Sequence, residues 1–227
     1  MKYKTDLHCH TSEMSGCASE NLYDTTQKYI NCGYTSLVIT NHFKSKNRVG
    51  ELSDYKTYVD AHFDIIDKAA EAAHGKLYII PGVELKMKDS INEYLIFGAT
   101  REIFYGIPEI FDKNIKYVHD YFSSHGCLVI QSHPMRWGIS LVRPEHIDGY
   151  EVLNTHVNHE NHNDIAEIIA ERIGGEGKIR TAGTDHHDAC QIPNTGILTE
   201  EPVTSGEELV RVMKSGRYEI FHEKREP

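Results

Sequence analysis

The chain has 227 residues, a hydrophobic fraction of 39% and a formal net charge of -10 at pH 7. This length is enough to bury a full core, and we expect one domain spanning residues 1–227. The acidic balance argues against a protein that binds long nucleic acids, because such proteins neutralise phosphates with Lys and Arg. No apolar run approaches the roughly 18 residues that span a bilayer, and the first motif begins too early to follow a signal peptide. We therefore predict a cytoplasmic protein without a membrane partner.

Short apolar runs alternate with helical patterns, which is typical of βα units around parallel strands. After a first strand that leads into residues 6–10, strands are predicted at 35–40, 77–80, 94–99, 127–131, 149–153 and 178–182, with an edge strand at 196–198 and a short strand at 218–221. Helices are predicted at 21–31, 54–74, 113–124, 163–173 and 207–214, with Ser53 as the N-cap of the longest. The polar loop at 44–51 is a candidate lid. We expect a closed or nearly closed barrel with its active site at the carboxyl ends of the strands.

The sequence is organised around Asp-Leu-His-Cys-His at residues 6–10. Side chains alternate along a strand, so His8 and His10 project from one side and can bind one ion together, whereas Cys9 faces the core. Buried imidazoles and carboxylates are costly unless they are paired or bind a cation. Four later apolar runs also end in such residues: Thr40–His42, Pro81–Glu84 (a predicted turn), Ser132–Pro134 and Gly183–His187. Because a single His-x-His pair is more often structural, the repetition is what predicts a cluster of metal ions.

Mixed imidazole and carboxylate ligands suit Zn, Mn or Fe, whereas Ca and Mg prefer oxygen ligands. About eight candidate ligands are too many for one tetrahedral ion, and they suit two or three ions that a carboxylate bridges. Such centres activate water at neutral pH and clamp the attacking and leaving oxygens of a phosphoester. The sequence therefore predicts two or three divalent metal ions as cofactors.

As an ordered set, these motifs resemble those of the PHP (polymerase and histidinol phosphatase) superfamily. The tail from Thr195 to Tyr218 is similar to the end of small stand-alone PHP phosphoesterases, so the resemblance covers nearly the whole chain. It implies an α/β fold, a distorted (β/α)7 barrel of the PHP or TIM-like kind, with up to three metals.

The resemblance also implies a ligand set for those metals. His186, one position off the pattern, is expected to point away from them. The implied ligands are His8, His10, Glu84 and Asp185 for one ion, His42 and His187 for a second, and Glu84 with His133 for a third.

The sequence departs from the family pattern at three positions. Asn41 replaces an Asp that usually does not contact the metals. The Asp or His that relatives carry shortly after His-x-His would fall near residues 15–16, and Glu13 is the nearest carboxylate that could replace it, unless it is a solvent-exposed loop acid. The histidine that usually precedes His133 is also missing, and Glu93 is its candidate substitute. Without Glu93, the third ion would be weakly held or missing.

The implied function is hydrolysis of a phosphoester by a hydroxide that the metals activate, with a small phosphorylated metabolite or nucleotide as the substrate. Arg136 is placed to bind phosphate oxygens as a planar fork, and the alternative for it is a surface salt bridge. His156 and Asn154 follow a strand end, where they could bind the substrate or protonate the leaving group, or belong to a solvated loop. Arg143 and Trp137 are further candidates for shaping the pocket.

Two other functions stay open at this stage. An amidohydrolase-type metal hydrolase also begins with His-x-His, although the Pro-Gly-Val-Glu and Ser-His-Pro elements fit it poorly. A non-catalytic, metal-stabilised module that binds a protein partner would have no need to keep an open site. The sequence leaves the oligomeric state undecided.

Overall fold

The computed structural model describes residues 2–45, 54–175 and 177–223. The strands in these ranges are β1 Tyr3–Asp6, β2 Ser36–Ile39, β3 His42–Lys44, β4 Tyr78–Lys86, β5 Tyr94–Phe97, β6 Leu128–Gln131, β7 Gly149–Asn154, β8 Ile179–Gly183, β9 Thr195–Thr199 and β10 Glu219–His222. The α-helices are α1 Leu22–Asn31, α2 Tyr55–Ala73, α3 Arg101–Tyr105, α4 Ile115–Ser124, α5 Asn163–Arg172 and α6 Gly206–Ser215.

Seven of the described strands form the wall of a barrel, in the order β1-β2-β4-β5-β6-β7-β8. Neighbours run parallel, except that β5 is antiparallel to both β4 and β6. The ends of β1 and β8 meet at the carboxyl rim through a parallel bridge between Cys9 and His186, where the His10 N–H donates to the His186 carbonyl at 3.0 Å. β9 and β10 extend the sheet beyond β1. The predicted distorted (β/α)7 barrel is confirmed.

Apolar side chains pack in two clusters, one of which joins the barrel strands to α6. Its members include Leu7, Val38, Ile80, Leu95, Phe97, Leu128, Ile130, Leu209 and Met213. Gly206, at the start of α6, packs against Gly98, which follows the antiparallel strand β5. α6 therefore covers the amino-terminal end of the parallel strands and leaves their carboxyl ends free for the site. Burying each of these large side chains contributes about 1.5–3 kcal/mol.

Two helices begin at side chains that cap them. The Asn21 side chain accepts hydrogen bonds from the N–H groups of Tyr23 and Asp24 at the start of α1. At α2 the Asp54 side chain accepts from the N–H of Thr57 at 2.9 Å, so Asp54 is the N-cap rather than the first helical residue. The predicted cap, Ser53, lies outside the described residues, as does most of the candidate lid at 44–51.

Two predictions about strands are wrong. Pro81–Glu84 is not a turn, because β4 continues through it to Lys86 and pairs with β2, β3 and β5. Gly82 allows this close packing, since a Cβ there would lie 2.7 Å from Val38 Cγ1 and 2.8 Å from Thr40 Cγ2. The predicted edge strand near residues 196–198 is internal, because the tail strand β10 pairs along its outer side. Among the described residues, no helix combines the length and apolar character that crossing a membrane requires.

Candidate metal centre

Seven of the predicted ligands meet at the carboxyl rim of the barrel. They come from the segment after β1, the start of β3, the body of β4 and the segments after β6 and β8. Parallel strands end at the same edge of a barrel, which is why residues so far apart in sequence converge. All seven are buried: His8, His10, His42, Glu84, His133, Asp185 and His187.

The Glu84 carboxylate lies at the centre of this group. Its Oε1 is 3.2 Å from both His8 Nε2 and His133 Nε2. Its Oε2 is 2.7 Å from His42 Nδ1 and 3.5 Å from His10 Nε2. One carboxylate therefore faces four imidazoles, which is the arrangement that a bridging ligand requires.

Asp185 forms a second carboxylate centre beside the first. Its Oδ1 is 3.4 Å from the Nε2 atoms of both His8 and His10, and 3.2 Å from His187 Nδ1. Its Oδ2 accepts hydrogen bonds from Arg136 at 2.6 Å and from the Asn154 amide at 3.2 Å. Asp185 thus links the histidine cluster to a cationic side chain.

Hydrogen bonds around the cluster fix the orientation of its first two rings. His8 Nδ1 lies 2.9 Å from Glu151 Oε1, and because an ionised carboxylate only accepts, this nitrogen carries a proton. His10 Nδ1 lies 2.9 Å from Ser15 Oγ, whose own proton is donated to Asn41 Oδ1 at 3.0 Å, so His10 Nδ1 also donates. Both Nε2 atoms then face the site and each other, 3.0 Å apart. Two lone pairs at this distance need a cation or a proton between them.

The pKa values of His8 and His10 are also shifted by the charges around them. Although burial disfavours its charged form, Asp185, Glu151 and Glu84 hold the pKa of His8 well above its usual range. Burial, together with His187 and His42, holds the pKa of His10 well below it. The carboxylates around His8 therefore favour a positive charge at this position.

The donor set fits divalent metal ions. Four groups among the described residues each offer ligand atoms within 4.8 Å of one another: His10 with His42 and His187, His8 with His10 and Asp185, His156 with Asp185 and His187, and His42 with Glu84 and Glu93. His8 and His10 keep Nε2 available because Glu151 and Ser15 hold their Nδ1 atoms, as is usual for histidines that bind metals. The Glu84 carboxylate is buried among these imidazole nitrogens, which suits a ligand shared between ions.

Two of the candidate ligands have strained backbones. His133 has φ 30° and Asp185 has φ 51°, in the left-handed region that residues other than glycine rarely adopt. Such strain costs on the order of 1–3 kcal/mol and concentrates at functional sites. Here it turns both side chains into the cluster from the first residues beyond β6 and β8.

The structure does not bring Glu13 to the cluster. Its Oε1 accepts a hydrogen bond from the Leu22 N–H at 3.0 Å, at the start of α1, so this acid supports a helix end. Glu93, in contrast, does reach the site, because its Oε2 lies 3.5 Å from His133 Nε2. Lys86 pairs with the other oxygen of Glu93 at 3.3 Å.

Two residues of the site were not predicted from the sequence. Glu151, buried in β7, accepts hydrogen bonds from His8 and from the His133 N–H. A carboxylate within the apolar run of this strand was the signal that could have identified it. Cys17 lies 3.2 Å from His42 Nε2, and although burial disfavours the thiolate, hydrogen bonds with His187 and His42 lower its pKa to about 6.

Arg136 and His156 line a cavity of about 400 Å³ beside the cluster. Arg136 is no surface salt bridge, because its side chain is only 14% exposed and Asn154 and Asn161 hold it together with Asp185. The His156 ring lies 5.0 Å from that of His187. Burial lowers the pKa of His156 to about 4, so it is neutral near pH 7.

Three other residues point away from the cavity. His186 Nε2 lies 2.6 Å from Glu20 Oε2, so the ring faces away from the cluster, as its one-residue offset predicts. Trp137 is 96% exposed, and the Arg143 side chain, 79% exposed, lies beside Glu145. The structure gives Trp137 and Arg143 no part in shaping the cavity.

Solved structures share the fold of this barrel. PsfC from Pseudomonas syringae matches with a TM-score of 0.68 and 12% identity, over 98% of this chain and 92% of that one. An amidohydrolase from Chromobacterium violaceum, solved with sulfate and without metal, matches with a TM-score of 0.59 and 12% identity, over 95% and 97%. A proposed metal-dependent phosphoesterase from Bifidobacterium adolescentis matches with a TM-score of 0.51 and 14% identity, over 93% and 95%.

At 12–14% identity these likenesses show a shared fold, which agrees with the fold that the resemblance to the PHP superfamily implies. Models of protein families yield no match to the chain, and neither do the curated proteins. The reaction and the substrate must therefore be argued from the site itself.

Proposed function

We propose that this protein is a metal-dependent phosphoesterase that hydrolyses a small phosphorylated metabolite or nucleotide. The observation that carries the proposal is the position of Glu84, whose two oxygens face four imidazoles within 3.5 Å. A buried guanidinium, Arg136, lies directly beside this cluster. A multi-metal centre next to a fixed cationic fork is suited to a phosphate group, which carries several anionic oxygens.

The described contacts indicate how the ligands would divide among the ions. One ion would lie between His8, His10, Glu84 and Asp185, and a second between His42 and His187. His133 and Glu93 would hold a third together with Glu84. Bound divalent ions would supply Lewis-acid polarisation of the phosphoryl oxygens and lower the pKa of water.

Arg136 would position the phosphate group. Its Nε donates to Asn161 at 2.8 Å, and one terminal nitrogen contacts Asn154 at 3.2 Å and Asp185 at 2.6 Å. These contacts use three of the five N–H donors of a guanidinium and leave the other terminal nitrogen for a substrate oxygen. Because Asn154, Asn161 and Asp185 fix the plane of the fork, little side-chain entropy is lost when phosphate binds.

His156 would donate a hydrogen bond to the substrate. Its Nδ1 accepts from the Asn158 N–H at 3.1 Å, so the neutral ring carries its proton on Nε2. A neutral imidazole with a pKa of about 4 binds an oxygen as an N–H donor. This role suits a phosphate oxygen or the leaving oxygen better than full proton transfer from an imidazolium.

The phosphoesterase proposal is tested with apoprotein reloaded with Mn or Zn. The substrates are p-nitrophenyl phosphate, bis(p-nitrophenyl) phosphate, a p-nitroanilide and a lactone. We expect turnover of a phosphoester that Asp185→Asn and His10→Ala abolish and that Glu171→Gln, an exposed control on α5, retains. Turnover of the amide or lactone alone would favour the amidohydrolase alternative. Inactivity of the metal-loaded protein toward all four substrates, together with stable binding of a protein partner, would favour a non-catalytic module.

A further inference from the structure

Cys17 lies at the edge of the cluster, where the sequence predicted a carboxylate ligand. Its Sγ is 3.2 Å from His42 Nε2. It lines the same cavity as Glu84 and Asp185. Glu13, the carboxylate first considered for this role, contacts the start of α1 instead.

The turn that carries Cys17 is held by the residues around the cluster. Ser15 Oγ accepts from His10 Nδ1 at 2.9 Å and from the His42 N–H at 3.0 Å. The Ser15 carbonyl accepts from the Ala18 N–H at 2.9 Å, which closes the turn around Cys17. The thiol is therefore positioned by the same hydrogen bonds that orient two candidate ligands.

The imidazole that contacts this thiol, His42, belongs to a group of three. His10, His42 and His187 offer ligand nitrogens within 4.8 Å of one another. The ring centroid of His10 lies 4.1 Å from that of His187 and 4.5 Å from that of His42. Two ligands of one tetrahedral zinc, at about 2.0 Å for nitrogen and about 2.3 Å for sulfur, lie about 3.5 Å apart. The observed 3.2 Å between Sγ and Nε2 is close to that separation.

We propose that Cys17 binds one of the metal ions as a thiolate, together with His42 and His187. The proposal rests on the metal centre of the proposed function and adds a ligand that changes its selectivity. Thiolate favours zinc and other thiophilic ions over manganese and magnesium, which prefer oxygen ligands. This corner of the site would therefore select a soft ion.

Cobalt(II) reports on the proposal without any substrate, because a thiolate ligand gives it a ligand-to-metal charge-transfer band in the near ultraviolet. We expect the cobalt-loaded protein to show this band, Cys17→Ser to lose it, and Cys190→Ser, at an exposed cysteine outside the cavity, to keep it. The affinity of Cys17→Ser for zinc should fall by at least about tenfold. Mutating residues that only hydrogen-bond a metal ligand already causes a loss of this size. Circular dichroism checks that each variant is folded.

Cys17→Asp replaces the sulfur ligand with an oxygen ligand. Compared with Cys17→Ser, it should bind cobalt more tightly but without the charge-transfer band, and it should bind manganese better than the unmodified protein does. Cobalt bound without the band, or a band that persists in folded Cys17→Ser, would overturn the inference while leaving the phosphoesterase proposal intact. Failure of the unmodified protein to bind cobalt or zinc would overturn both.

Discussion

At the scale of single residues, Glu151 fixes two of the candidate ligands at once. Its Oε1 accepts from His8 Nδ1 at 2.9 Å, and its Oε2 accepts from the His133 N–H at 2.8 Å and the Asn154 amide at 2.9 Å. The first contact turns His8 Nε2 toward the cluster, and the second supports the strained backbone of His133. Carboxylates in this position raise the basicity of a ligating imidazole.

Glu151→Gln should lower metal affinity by about 10–100-fold while the protein stays folded. The amide that replaces the carboxylate must turn one NH₂ group toward a donor, either His8 or the His133 amide. Competition with a chromogenic chelator measures the affinity. Glu171→Gln on α5 is the matched control, and equal affinity of the two variants would contradict the role given to Glu151.

At the scale of elements, the closest approach around the cluster is between β8 and the segment that follows β1. Gly183 ends β8, and a Cβ there would lie 2.3 Å from His8 Cβ and 2.8 Å from His8 N. The second contact is with backbone, so a side-chain rotation cannot relieve it. Gly183 is therefore required for the position of His8.

Gly183→Ala should destabilise the protein by about 1–3 kcal/mol, the usual cost of overpacking, and weaken metal binding as well. Urea unfolding measures the first effect and chelator competition the second. A variant with unchanged affinity would show that His8 can move without loss of the site.

His62, where α2 packs on β4, makes the stability of the folded protein depend on pH. Its Nε2 lies 3.2 Å from the Gly82 carbonyl, and burial lowers its pKa from 6.5 to about 4. The unfolded chain therefore binds more protons than the folded one between these values, so stability falls as the pH falls through this window. The contribution of His62 should decrease by about 2 kcal/mol between pH 7 and pH 4.5.

His62→Gln keeps a donor for the Gly82 carbonyl but removes the titration. As the pH falls from 7 to 4.5, the unmodified protein should therefore lose about 2 kcal/mol more of its free energy of unfolding than His62→Gln does. Urea unfolding at both pH values measures this difference. His74→Gln, at the exposed end of α2, should show no comparable change. Parallel pH curves for the unmodified protein and His62→Gln would refute the argument.

At the scale of the whole molecule, the barrel gathers candidate metal ligands at one end and apolar side chains at the other. α6 and the strand side chains it covers close the amino-terminal end. The carboxyl rim brings together imidazoles and acids whose mutual arrangement requires positive charge. Without bound metal, these crowded polar groups therefore lower the free energy of unfolding of the protein.

Metal binding should raise the melting temperature. At a free metal concentration about 100 times Kd, unfolding costs about 3 kcal/mol more, or roughly 5–10 °C for a chain of this size. Differential scanning calorimetry of chelator-treated and zinc-loaded protein measures the shift. His10→Ala should lose most of it, and an equal shift in that variant would mean that zinc binds elsewhere.

The sequence was most informative where a residue that can bind metal follows the end of a predicted strand. The histidines and acids that end apolar runs locate the site because parallel strands share one carboxyl rim. The place of Glu13 could not be predicted in this way, since its contact with the Leu22 N–H depends on how the segment after β1 folds back onto the start of α1. Glu151 was missed for a similar reason, because its partners lie on other strands. Gly82 was read as part of a turn because its packing against β2 is not visible in the chain alone.

The central claim is that His8, His10, Glu84 and Asp185 surround bound ions. Anomalous diffraction from zinc-loaded crystals, recorded on both sides of the zinc absorption edge, tests it directly. We predict at least two anomalous peaks within bonding distance of this group, one of them in contact with Glu84. Crystals that take up zinc only at the surface, with no peak among these four side chains, would contradict the account.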